Sequence, residues 1–147
     1  MDVDVGTCVA ADPEMIALGV RRALATLEPS SAEVSVALVD DVCIAALNQR
    51  FLDEPGPTDV LAFSLGDGAD VVGDVYVGFE QAARQAEELG VSVEEELVRL
   101  AIHGTLHVLG HDHPEGEDRE SSPMFVLQER LVGEVMRDAE RGSRDAS

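Results

Sequence analysis

Lysine and tryptophan are absent from the chain, and aromatic residues make up only 3% of it. Without lysine, all 10 basic side chains are arginine; they face 30 Asp and Glu, for a formal net charge of −20. A charge of that sign favours solubility and repels nucleic acid at long range, so binding through a broad basic surface is excluded and no DNA partner is expected. The acidity has two available origins: a host-wide composition, as in a GC-rich genome or a salt-rich cytoplasm, or a basic partner. Cysteine is scarce too. Cys8 and Cys43 form no spaced cluster and read as free, buried thiols in a reducing cytosol, with a disulfide or a metal role as alternatives. No apolar run approaches the roughly 18 residues of a membrane span. The opening Met1-Asp2-Val3-Asp4-Val5 has neither the basic start nor the apolar stretch of a signal peptide. A cytoplasmic protein with no membrane partner is therefore expected.

What is present suits a single packed domain: 147 residues, of which 45% are hydrophobic. Residues 2–5 alternate Asp and Val, as a short edge strand does. Asp12-Pro13-Glu14 opens a helix expected to run to about Leu27, with Ile16, Val20, Ala23, Leu24 and Leu27 on its apolar face. A strand over Glu33–Val39 follows, then a helix capped by Asp40 or Asp41 that carries Ile44, Leu47 and Phe51 inward. Residues 53–58 read as a loop. Strands at 59–65 and 71–77 flank a turn and suggest an antiparallel hairpin. A helix from Glu80 stops at Gly90. Ser92-Val-Glu-Glu95 is a capping-box pattern for the next helix, which should end at Gly110. A polar loop over 111–118 leads to a last helix between about Arg119 and Glu140, starting near Ser121 or Ser122. The expected fold is α/β: one domain over 1–140 with a small mixed sheet of about four strands and about five helices, a metal site on the helix after the sheet, and a loose tail over 141–147.

All 4 histidines lie between 103 and 113: His103, His107, His111 and His113. Four apart on a helix, His103 and His107 share one face about 6 Å apart and can grip one cation. Gly110 then stops the helix, so the chain can double back and bring His113 to a third position. Neutral imidazoles favour zinc, and one Zn2+ per chain is expected. His111 competes for the third place, and Asp112 either orients a ligand histidine or simply turns the loop. The ligand spacing matches that of the metzincin proteases, but their general-base glutamate is replaced here by Gly104, which removes a peptidase mechanism. Three protein ligands leave a fourth place for water, the arrangement of catalytic rather than structural zinc.

The segment from His103 to His113 resembles the signature of the YbeY family, bacterial metal-dependent endoribonucleases of rRNA maturation. Leu47-Asn48, the run Pro57-Thr58-Asp59-Val60-Leu61-Ala62-Phe63, Gly73-Asp74 and the helix Met124–Glu129 resemble further blocks of that family, in order, over roughly 45–135. The resemblance implies a small sheet flanked by helices, zinc on His103, His107 and His113, and a role in 16S rRNA 3′-end processing and ribosome quality control. It implies rRNA and the small ribosomal subunit or its basic proteins as partners. One position departs. The family usually has an arginine just after the aromatic that follows Leu-Asn, thought to engage the RNA phosphate; here Leu52 follows Phe51. Arg50 replaces it only if this stretch has left the helix, because residues two apart on a helix face nearly opposite ways.

The expected chemistry is zinc-assisted cleavage of single-stranded RNA, with zinc-bound water as the only assigned catalytic group and with Thr58, Asp59 and Asp112 as candidates to line the cleft. The alternative is a zinc-stabilised ribosome-assembly factor that binds without cutting, favoured by Leu52 and by the acidity.

Overall fold

In the computed structural model, residues 2–7, 13–26, 29, 31–66, 70–110 and 122–145 are described. Along the chain they form β1 (Asp2–Thr7), α1 (Pro13–Ala25), β2 (Ser31–Val39), α2 (Asp41–Leu52), β3 (Val60–Ser64), β4 (Asp70–Gly78), α3 (Phe79–Leu89), α4 (Val93–Val108) and α5 (Pro123–Asp145). The α/β class, the four-strand mixed sheet and the five helices expected from the sequence are all present.

Local chemistry accounts for most boundaries. Pro13 opens α1, where its fixed φ suits a first helical residue. The Asp40 carboxylate accepts the Cys43 N–H at 2.7 Å and caps α2. Gly90, at φ 70, ends α3. The Ser92 hydroxyl accepts the Glu95 N–H at 3.1 Å to start α4, and Ser122 does the same for Phe125 at the head of α5. Glu95 directs its own carboxylate to Arg99 at 3.0 Å.

The sheet order is β1-β2-β4-β3. β1 and β4 run parallel to β2, and β3 returns antiparallel along β4 as the expected hairpin. Every second residue of β2 is buried: Ala32, Val34, Val36 and Leu38, with Glu33 and Ser35 on the exposed face. The register sets Val36 beside Val75 and Leu38 beside Val77 on that buried face. Together with Val20, Leu24, Val98, Ile102 and Leu106 they make one core, each buried Val, Leu or Ile contributing about 1.5–3 kcal/mol.

Helix α4 lies unusually close on β4, and two glycines permit it. A Cβ on Gly73 would stand 2.5 Å from the Val108 side chain, and one on Gly104 would stand 2.6 Å from that of Val75. Both distances are too short for real atoms, so this contact fixes the depth and roll of α4 and with them the direction of its histidines.

Three expectations need correction. Phe51 is not on a buried helix face: at the last turn of α2 it is 54% exposed and meets Phe63 of β3 edge-on. Cys43 is free but exposed, since the first turn of α2 faces solvent; Cys8 lies outside the described residues. The last helix, expected to end near Glu140, runs to Asp145. One glycine, Gly142, costs a helix only about 1 kcal/mol and does not end it.

Candidate functional site

One stripe of α4 carries Glu96, Leu100, His103 and His107, successive positions four or three apart. His103 and His107 are half-buried, and their Nε2 atoms stand 3.2 Å apart, so the two rings converge on one point. The other ring nitrogen of His103, Nδ1, lies 2.7 Å from the side-chain oxygen of Gln128 on α5. Gln128 is buried and donates from Nε2 to Glu129 at 3.0 Å. Glu129 takes a two-pronged contact from Arg99, at 2.9 Å from Nε and 3.0 Å from Nη2. Arg99 also holds Glu96 at 3.1 Å and Glu95 at 3.0 Å.

The buried Glu96 and the half-buried Glu129 respond in opposite senses. Burial pushes the Glu96 carboxyl up, and its single contact with Arg99 does not compensate. Burial acts the same way on Glu129, but the hydrogen bonds from Arg99 and Gln128 outweigh it and hold this carboxyl below its usual range. The Arg99 guanidinium is half-buried, which works against its charge, but its three carboxylate partners keep it charged.

Two clefts open beside His103. The larger, of about 410 Å³, runs between β3 and α4 and is lined by Leu52, Asp59, the strand residues Val60, Leu61, Ala62 and Ser64, and by His103, Gly104 and His107. The smaller, of about 260 Å³, lies toward α5 and is bordered by Asp59, Gln85, Glu96, Arg99, His103 and Gln128, with Leu89 and Leu100. Asp59 borders both, and its carboxylate accepts from Gln85 at 3.3 Å.

The fold therefore brings together His103, His107, Asp59 and the Leu52 position. Thr58 is not among the lining residues of either cleft; its hydroxyl sits 3.4 Å from the Asp59 carboxylate. Arg50 is not brought in either. α2 stays helical through Leu52, so Arg50 points away from that position; it is exposed and lies over the Phe51 ring at 5.3 Å. The condition under which it would stand in for the missing arginine is not met. His111, Asp112 and His113 lie outside the described residues, as does Arg119. Among the described residues, no three His, Cys, Asp or Glu side chains form a metal-holding group.

Gln128, Glu129, Arg99 and Glu96 are the residues that sequence reasoning missed. A signal for two of them was there. Gln128 falls on the apolar stripe of α5 with Met124, Leu131 and Val135, and Glu96 falls beside Leu97 and Leu100. A polar group at a core-facing position must find a partner or carry a large desolvation cost.

Comparison with known proteins agrees with this layout. A family model described as endoribonuclease YbeY matches residues 11–136. A protein named endoribonuclease YbeY from Thermobifida fusca is 40% identical, over 98% of this chain and 100% of its own length. Another of that name from Rhodococcus opacus is 39% identical over 80% of this chain and 71% of its own. The solution structure of TM1509 from Thermotoga maritima superposes with a TM-score of 0.65 at 31% identity, covering 99% of this chain and 96% of that one.

Proposed function

The chain belongs to the endoribonuclease YbeY family, and from that premise we propose that it is a zinc-dependent endoribonuclease that cuts single-stranded RNA in 16S rRNA 3′-end maturation and ribosome quality control. The observation that carries the metal is the 3.2 Å separation of the His103 and His107 Nε2 atoms. Zinc–nitrogen bonds of about 2.0–2.1 Å in a tetrahedron set neighbouring nitrogens about 3.3 Å apart, so the pair fits two corners of such a site. His113 is proposed as the third ligand and a single Zn2+ as the cofactor. Its resident compartment is proposed to be the cytoplasm. No helix among the described residues is long and apolar enough to cross a membrane.

When bound, zinc supplies a Lewis acid for a phosphoryl oxygen and acidifies the attacking water. The chain's own residues do the remaining work. The β3–α4 cleft admits the RNA strand beside the histidines. Asp59 borders it and offers an acceptor against which a hydroxyl can be oriented. Gly104 presents no base, and the packing against Val75 leaves no room for one. Leu52 lines the cleft at the position where the family usually carries an arginine, so at this position the chain offers a phosphate no charged contact.

The alternative, a zinc-stabilised ribosome-assembly factor that binds and does not cut, has one observation in its favour. Among the described residues, no arginine lines the larger cleft. In either case a basic ribosomal protein would supply the charge that a chain of net −20 lacks. The two are separated by incubating purified protein with a defined 16S rRNA 3′ fragment, with zinc and with chelator. The nuclease predicts cleavage that stops on chelation and returns with zinc. Retention of the fragment without cleavage supports the alternative, and cleavage that survives chelation contradicts the zinc mechanism.

A further inference from the structure

We propose that Gln128 is a positioning residue that sets the tautomer of His103, and that its own orientation is set by Glu129 and Arg99. The proposal rests on the histidine-site reading above but is read out separately from it.

A side-chain amide has a donating end and an accepting end, and a neutral imidazole has one of each. Four groups in series here leave one consistent assignment. Arg99 only donates, and it grips Glu129 by two nitrogens, at 2.9 and 3.0 Å. Glu129, held ionised by that contact, only accepts. The Gln128 atom 3.0 Å from it must therefore be the NH2 group. The amide oxygen is then turned toward His103, 2.7 Å from Nδ1. An oxygen acceptor at that distance requires the proton on Nδ1. The lone pair of His103 is thereby placed on Nε2, the atom that converges with His107. Flipping the amide would set NH2 against Nδ1, force the proton to Nε2 and remove the metal-binding lone pair. It would also bring the amide oxygen against the Glu129 carboxylate, which opposes the flip.

Burial makes the arrangement persistent. Gln128 is 5% exposed, so water does not compete for its amide. The chain of contacts spans two helices, α4 and α5, so it also ties the ring's rotation about its own bonds to the packing of α5. Outer groups of this kind commonly alter metal affinity by about 10–100-fold when removed.

The test uses the full-length protein labelled with 15N at histidine. Long-range proton–nitrogen correlation, at a pH where the imidazoles are neutral, reports which nitrogen of His103 carries the proton before any zinc is added. The expected result is the Nδ1–H form in the wild type and loss of that preference in Gln128→Leu, which keeps the volume without the amide. Gln128→Glu should restore the preference, since a carboxyl oxygen accepts the same proton. Glu129→Gln should weaken it, because an amide partner no longer dictates which way Gln128 faces. Zinc affinity by chelator competition should fall about 10–100-fold in Gln128→Leu. The Nε2–H form in the wild type, or the same tautomer in wild type and Gln128→Leu, overturns the proposal. If Gln128→Leu does not fold, the wild-type tautomer and the Gln128→Glu and Glu129→Gln proteins decide it. A wild type that shows the expected tautomer but binds no zinc sinks the metal reading and leaves the positioning role standing.

Discussion

The two walls beside His103 are built from opposite materials. Toward α5 the wall is charged and internally paired: Arg99, Glu95, Glu96, Glu129 and Gln128 hydrogen-bond to one another along the smaller cleft. Toward β3 it is mixed and carries no ion pair among the described residues, with Leu52, Val60, Leu61, Ala62 and Ser64 leading to Asp59 and the histidines. Under the proposed function the difference would separate two tasks: one wall would orient a histidine, and the other would meet the substrate. Among the described residues, the arginine beside the histidines, Arg99, is committed to three carboxylates, and the residue at position 52 on the larger cleft is leucine.

The most damaging way to break this contrast is to lift α4 off the sheet that both walls share. Gly104→Ala places a Cβ 2.6 Å from the Val75 side chain, and a loss of about 1–3 kcal/mol in unfolding free energy is expected, with Gly104→Glu worse. Denaturant titration measures it. An alanine variant as stable as the wild type would mean that the close helix–sheet contact is not what sets the histidines.

A second variant alters the open wall. Leu52→Arg should tighten RNA binding and steepen its salt dependence by about 0.7 in the log–log slope, the value for one phosphate contact on a single strand. Arg50→Ala, on the exposed side of α2, should leave both unchanged. Equal slopes for Leu52→Arg and the wild type would remove position 52 from the substrate path.

The smallest effects test the charged wall. The folded-state pKa of Glu129 lies below its unfolded value, so its stabilisation is present above the unfolded range and lost as pH falls through the folded value. Glu96 has the opposite sign: its raised pKa means that the ionised form costs the fold, and the cost is relieved as pH falls. Glu129→Gln should therefore cost about 1 kcal/mol near neutrality, a modest figure because its side chain is 33% exposed, and the difference from wild type should shrink toward pH ~4. Glu96→Gln should be neutral or stabilising at neutrality. Thermal unfolding at the two pH values distinguishes them, and parallel behaviour of the two variants would contradict the assignment.

The same contrast explains what could be read from the sequence. Features carried by neighbours in sequence were legible: the caps at Asp40 and Ser92, the stop at Gly90, the β3–β4 hairpin, and the His103–His107 pair. Asp59 borders both clefts, whereas its neighbour Thr58 lines neither and contacts Asp59. The charged wall was not legible, because Arg99 reaches Glu129 and His103 reaches Gln128 across two helices whose packing no local pattern encodes. Phe51 was misplaced for a related reason. Helical periodicity says which side a residue faces, not whether the sheet extends far enough beneath that turn to cover it.

The central claim is that the convergent histidines hold a metal that cuts RNA, and single-turnover cleavage of the 16S rRNA 3′ fragment by His107→Ala in saturating zinc tests it most directly. The account predicts a rate reduced by on the order of a hundredfold or more, with the fold retained and the bound zinc lost. Cleavage at the wild-type rate by a folded, zinc-free His107→Ala protein would contradict it.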